Sequence, residues 1–235
     1  MTGVVALALS FMYTGLKGVH DLNEAIYAKK AILAAVEGKL GMKASTLSVD
    51  EVSEIFEKNI KQEVYDMKGN LLTPEQVEAA GYKGGKAENV DMGKEAKKPE
   101  AERMIPMYTY KDGDNEYYIL SVRGKGLWDA IWGNIALEKD MNTIAGVDFD
   151  HRQETPGLGA EIKDNAAWKR QFIGKTILDE NGEIRGVAVV KGGAKNDVWQ
   201  VDGISGATIT ADGVGEMLAR GLKYYSPVLD KMKKS

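Results

Sequence analysis

The sequence predicts an α+β fold, with an antiparallel sheet between flanking helices and an apolar helix ahead of it. Three observations carry that prediction. Two turn signals, Asp112-Gly113 and Asn181-Gly182, lie between short runs rich in β-branched and aromatic residues. Helical periodicity marks the two ends of the chain and does not alternate regularly with strands. No internal repeat or low-complexity linker divides the 235 residues, so one domain over 17–235 is expected behind an N-terminal segment, 1–16.

The N-terminal segment comes first. No charged residue occurs before Lys17, and Val4-Val5-Ala6-Leu7-Ala8-Leu9 is continuously apolar. Sixteen helical residues reach about 24 Å, short of the roughly 30 Å hydrocarbon core of a bilayer. A signal peptide is disfavoured because no Lys or Arg precedes the run. A buried core helix is the plainer reading, but such a helix would carry a polar face. The expectation is a transmembrane anchor that is partial here, or whose first residues lie upstream of Met1.

Next, Leu22, Ile26, Leu33 and Val36 recur at helical spacing and predict a helix over about 20–38. Ser48, with Glu51 three residues later, caps a second helix over 48–60, with Val52, Ile55, Phe56 and Ile60 on one face. Thr73-Pro74-Glu75 starts a shorter one by the cap-then-proline rule. Residues 83–103 carry six basic and five acidic side chains and read as a solvated excursion.

Strands follow. Residues 105–110 and 117–123 form a hairpin across Asp112-Gly113. Residues 134–138 and 143–149 are further strands, and 164–172 is a short helix. Residues 176–178 and 184–190 flank the Asn-Gly turn, and 198–201 is one more strand. A last helix from about 211 places Val214, Met217, Leu218, Leu222 and Tyr225 on one face, with Pro227 kinking or ending it.

Composition removes much chemistry. There is no cysteine, so disulfides, thiolate metal sites and cysteine nucleophiles are excluded. Two histidines, His20 and His151, exclude a histidine-rich metal site. The net charge of −4 offers no nucleic-acid footprint.

Three glycine-rich places remain. The first runs from Gly124 to Gly133 and presents Trp128 and Trp132. Trp132 reads as core; Trp128, beside Leu127, is a candidate for packing on a planar ligand. The second is His151-Arg152-Gln153-Glu154-Thr155-Pro156-Gly157-Leu158-Gly159, where backbone can approach a ligand, although Pro-Gly is also an ordinary turn signal and His151 alone reads as a surface histidine. The third is Asp202-Gly203-Ile204-Ser205-Gly206-Ala207-Thr208-Ile209-Thr210, leading into a helix. Small residues before a helix N-terminus suit a phosphate. The spacing fits neither a P-loop nor a dinucleotide fingerprint. Capping by Thr208 or Thr210 is the plainer reading, and it leaves the run of Ser, Gly and Ala unexplained.

Those residues carry a resemblance. Ser205-Gly206-Ala207-Thr208, after Asp202-Gly203, resembles the flavinylation motif of FMN-binding domains. With Gly126-Leu127-Trp128, the Glu154–Gly159 segment and the N-terminal segment, the chain resembles the NqrC family, the C subunits of sodium-translocating NADH–quinone reductases. The G subunits of Rnf-type electron-transport complexes share the second and third motifs, and the Gly-Leu-Trp segment favours the NqrC family. A membrane-bound regulatory module with a non-redox FMN-binding domain is an alternative of another class. A hydrolase using Ser205 or Thr208 is disfavoured, because no histidine is near in sequence.

The resemblance implies a single FMN-binding domain and covalent FMN, phosphoester-linked to Thr208, with Thr210 and Ser205 as rival hydroxyls. It implies a transferase-recognition segment and phosphate nest from Asp202, Gly203, Ser205, Gly206 and Ala207. It places Glu154, Thr155, Leu158 and Gly159 along the flavin, with Leu127 and Trp128 packed beside it. Lys191 would offset phosphate charge, or is simply a solvated strand-end lysine. The implied partners are the other subunits of a membrane complex and a flavin transferase, with the domain on the periplasmic side of the bacterial inner membrane. The implied activity is one-electron transfer within a Na+-translocating NADH:quinone oxidoreductase.

Overall fold

The computed structural model describes residues 2–234. The chain opens with α1 (Thr2–Ala34), a single helix about 50 Å long at 1.5 Å per residue. Its last third packs, with Ile26, Ile32 and Leu33 buried, while Phe11, Tyr13, Leu16, Val19 and Leu22 are exposed. The expected 20–38 helix is therefore the inner part of a longer one. Of the apolar run 4–9, Val5 is exposed, and the other side chains lie outside those described. Among the described residues no helix is long and apolar enough to cross a membrane.

A short α2 (Glu37–Leu40) leads to α3 (Val49–Asn59), whose Ser48–Glu51 capping box forms as expected. The chain passes straight from α3 into β1 (Ile60–Asp66), a strand that the helical pattern absorbs because no breaker separates them. Thr73 and Gln76 form the capping box of α4 (Pro74–Ala79). The 83–103 excursion is less solvated than its charges suggest. It contains α5 (Met92–Glu95), and Ala87, Val90 and Glu95 are buried. Glu95 pairs with Lys98 at 2.7 Å, accepts the Met104 N–H at 2.8 Å and accepts from the Tyr82 hydroxyl. Those partners explain how a carboxylate sits inside.

The sheet then runs β2 (Met104–Asp112), β3 (Asn115–Lys125), β4 (Ala130–Leu137) and β5 (Ile144–His151). With β1 it is antiparallel throughout, in the order β1-β2-β3-β4-β5. The β2–β3 hairpin turns at Asp112–Asn115, as predicted. Neighbouring residues alternate between two cores. Ile105, Met107, Leu120, Val122, Ile135 and Phe149 face one. Tyr108, Tyr110, Ile119 and Ala136 face the other, beneath α1 and α3.

The expected 164–172 helix is two short ones, α6 (Glu161–Asp164) and α7 (Ala166–Arg170), because Asn165 is non-helical and caps α7. Residues 176–184 contribute isolated bridges, Thr143 to Thr176 and Leu178 to Ile184. Only β6 (Ala188–Val190) continues, and it pairs in parallel with β7 (Gln200–Asp202). The terminal helix, α8 (Thr208–Gly221), starts earlier than periodicity predicts, inside the small-residue motif. A 3-10 turn over 222–225 precedes α9 (Ser226–Met232), with Pro227 near its start.

The face under α8 holds the larger core. Trp168 is its tryptophan, packed tilted or edge-on against Phe149 and Phe172 with ring centroids 5.1–5.8 Å apart. Trp132, expected in the core, is half-buried under the Arg123 guanidinium. Tyr225 is fully buried; its hydroxyl donates to Pro106 O at 2.7 Å and accepts from Ser121 N at 3.2 Å. Burial pushes the Tyr225 pKa up, so the neutral donor persists.

Two contacts set the helices on the sheet. A Cβ at Gly213 of α8 would lie 2.4 Å from the Lys125 carbonyl, so the helix backbone rides directly on the end of β3. On the other face Tyr27 of α1 donates to Asp150 of β5, and Lys163 of α6 pairs with Asp150 at 3.0 Å and donates to the Tyr27 hydroxyl at 2.8 Å. Burial opposes the Lys163 charge, but the bonds to Tyr27 and Asp150 outweigh it and hold the pKa above 10.5.

Gly213→Ala is expected to destabilise by about 1–3 kcal/mol, the cost of overpacking; the urea midpoint should fall with the m-value unchanged. The Lys163 contact is complete below pH 10.5 and is lost as pH rises through the higher folded pKa. Lys163→Met should therefore narrow its stability gap from the wild type under strongly alkaline conditions, as read by thermal unfolding.

Candidate flavin site

Three segments distant in sequence meet at one carboxylate. Glu154 lies in the loop after β5 and is 5% exposed. Its Oε2 accepts the Thr210 hydroxyl at 2.6 Å, from the first turn of α8. Its Oε1 accepts the Trp128 backbone N–H at 3.0 Å, from the loop between β3 and β4. Its own N–H donates to His151 Nδ1 at 3.1 Å, which places the neutral ring's proton on Nε2. Two glycines close the cage. A Cβ at Gly126 would lie 2.5 Å from Oε1, and one at Gly159 would lie 2.3 Å from Oε2.

Above this joint the surface is apolar and exposed. Leu127, Trp128, Leu158 and Ile209 are all exposed. Trp128 is 65% exposed, yet it is fixed twice: by its backbone on Glu154 and by indole Nε1–H donation to Thr155 Oγ1 at 3.2 Å. Thr155 also anchors the turn around Pro156-Gly157, its carbonyl accepting from Leu158 and Ala160 at 3.1 Å. An exposed indole held in one orientation is a platform for a flat ligand.

Beside the platform lies a cavity of ≈ 500 Å³. Lys191 to Gly193 line one wall, residues 202–206 another, and Thr208, Ala211 and Asp212 the floor. The walls are tied by Asp202, whose Oδ1 accepts the Ala194 N–H at 2.7 Å. Its backbone is gripped from the core: its carbonyl accepts the Trp168 indole at 2.7 Å, and its N–H donates to Gln171 at 2.9 Å. Gly203 N–H donates to Val190 O at 2.8 Å and closes the same wall. Gly206 has φ 77, a conformation that a side chain resists, and a Cβ there would meet Leu158 at 2.8 Å.

The three hydroxyls separate by environment. Thr210 is 1% exposed and its proton is committed to Glu154. Ser205 is exposed in the loop. Thr208 is half-buried at the first helical position of α8, and its hydroxyl makes no hydrogen bond among the described residues. The first-turn amides of α8 receive no side-chain cap, so the N-terminal donors and the positive end of the dipole face the cavity. A half-buried hydroxyl, uncapped amides and a cradle of small residues fit a phosphoester; Lys191, exposed on the wall, adds positive charge.

The structure thus joins the three glycine-rich segments read from the sequence. Glu154 and Asp202 are in the site, but their carboxylates point into the protein's own framework. Trp168 and Gln171 escape sequence reasoning, and His151, read as a surface histidine, is half-buried and accepts the Glu154 N–H. His151 stands three residues before Glu154, which hints at a local bond, but nothing in the spacing signals Trp168 or Gln171.

The FMN-binding domain family matches residues 126–223, a span that contains all three segments. The C subunit of the Na(+)-translocating NADH-quinone reductase of Pseudomonas aeruginosa is 34% identical, over 92% of this chain and 86% of that one. The corresponding protein of Vibrio parahaemolyticus is 36% identical, over 90% and 82%. The crystal structure of the same subunit from Parabacteroides distasonis superposes with a TM-score of 0.75 at 32% identity, covering 91% of this chain and 96% of that one. Shewanella oneidensis NqrC gives 0.74 at 25% identity, covering 91% and 99%. The chain belongs to the NqrC family, the C subunits of Na(+)-translocating NADH-quinone reductases.

Thr210→Val leaves one oxygen of a buried carboxylate short of a donor. It is expected to cost about 1–3 kcal/mol, measured by denaturant unfolding of the flavin-free protein.

Proposed function

We propose that this chain is the covalently flavinylated electron-transfer subunit of a Na+-translocating NADH:quinone oxidoreductase, with FMN esterified to Thr208. The observation that carries the reading is the contrast between the two threonines of Thr208-Ile209-Thr210. Thr210 is locked to Glu154, while Thr208 sits uncapped at the helix start beside the cavity.

When bound, FMN supplies one-electron exchange that no side chain here offers. The chain's own residues bind and orient. The α8 amides and the small-residue wall receive the phosphate, and Lys191 offsets its charge. Leu127, Trp128, Leu158 and Ile209 offer the apolar surface for the ring. Thr208 acts as a nucleophile once, during maturation. Its Oγ–P bond forms as the pyrophosphate bond of FAD breaks and AMP leaves, and a separate flavin transferase takes the hydroxyl proton. The ester then keeps the cofactor on a domain that we place on the periplasmic face of the bacterial inner membrane.

Residues 1–16 serve as the membrane attachment in this reading. Support comes from the exposed apolar side chains along the outer part of α1, including Val5, Phe11, Tyr13 and Leu16. The neighbouring subunits of the complex are the electron partners.

Co-expression with a flavin transferase should give one FMN per chain that survives denaturation and fluoresces on a denaturing gel. Thr208→Ala should abolish that band and Thr210→Val should retain it. A labelled Thr208→Ala protein would overturn the assignment.

A further inference from the structure

We propose that Glu154 is a positioning residue for the flavin, acting through Trp128 and Thr210 and not by touching the cofactor. This role rests on the attachment of FMN at Thr208 proposed above and deepens it.

A buried carboxylate normally requires a cation or a full set of donors. Among the described residues Glu154 has no basic partner within ion-pair distance. It is instead held by the Trp128 N–H, the Thr210 hydroxyl and the first turn of α8, where the helix dipole favours negative charge. Bonds to groups from two different segments hold its side chain in one position.

What it holds is a pair of groups, one on α8 two residues from Thr208 and one on the β3–β4 loop. On α8 it holds Thr210 inward, which sets the rotation of the helix turn and removes the competing hydroxyl. On the β3–β4 loop it holds the backbone of Trp128, while the next residue, Thr155, holds the indole nitrogen. Glu154 and Thr155 are consecutive, so a single dipeptide fixes both ends of an exposed tryptophan and also grips the flavin-bearing helix. The distance between platform and tether is thereby set by one residue. Gly126 and Gly159, packed on the two carboxylate oxygens, leave no room for it to swing away.

The experiment uses the full chain, co-expressed with the transferase. Covalent FMN is counted on a denaturing gel, which tests the attachment reading separately. Flavin fluorescence of the native protein tests the positioning role, since an indole held against a flavin quenches its emission. Trp128→Ala should raise the emission per bound flavin several-fold. Glu154→Ala should give a rise of similar size, and the double variant should be no brighter than Trp128→Ala alone. Glu154→Gln keeps an oxygen for Trp128 N–H and offers an amide to Thr210, so it should restore quenching. If Glu154→Ala does not fold, Glu154→Asp withdraws the carboxylate by one methylene from the Trp128 N–H and the Thr210 hydroxyl and should brighten the flavin, again without adding to Trp128→Ala. Wild-type emission from Glu154→Ala, or from Glu154→Asp where the alanine variant does not fold, would overturn the proposal. So would a double variant whose rise is the product of the two single rises.

Discussion

The buried Glu154 carboxylate is the joint on which the site depends. It collects a loop from between β3 and β4, the loop after β5 and the first turn of α8 into one hydrogen-bonded unit. Neither loop belongs to a strand at that point. The carboxylate ties the backbone of the platform tryptophan directly to the first turn of the helix bearing Thr208. The glycines around it follow from this: an acid so tightly enclosed permits no side chain at Gly126 or Gly159.

A second framework supports the other side of the cavity. The aromatic cluster of Phe149, Trp168 and Phe172 is ordinary core, but the indole N–H of Trp168 reaches out to the Asp202 carbonyl. Asp202 then commits its carboxylate to the Lys191–Ala194 turn. The polar residues of the small-residue motif thus divide their labour. Asp202 builds the wall, Gly206 permits the turn, and Thr208 keeps a hydroxyl that makes no hydrogen bond among the described residues.

Much of this is legible in the sequence, and the limits have physical causes. The capping boxes at Ser48 and Thr73 are local, as is the Asp112-Gly113 hairpin, and all three form where the residues predict them. β1 escapes because Ile60 completes a helical face as well as it opens a strand. The parallel pairing of β6 and β7 escapes because an Asn-Gly turn signals an antiparallel hairpin, whereas the strand that forms pairs with a more distant segment. At the site, the motifs announce which segments matter. They cannot announce which way a carboxylate points: Glu154 and Asp202 read equally well as ligand contacts or as framework until their partners are seen.

The Tyr27–Asp150–Lys163 contact has a structural consequence. Asp150 lies near the end of β5, only four positions before Glu154, and its Oδ1 also accepts the His151 N–H at 2.8 Å. Asp150 thus joins α1 and α6 to the end of β5, where His151 Nδ1 accepts the Glu154 N–H. The inner part of α1 and the backbone of Trp128 are therefore linked by successive hydrogen bonds along the end of β5 and through Glu154.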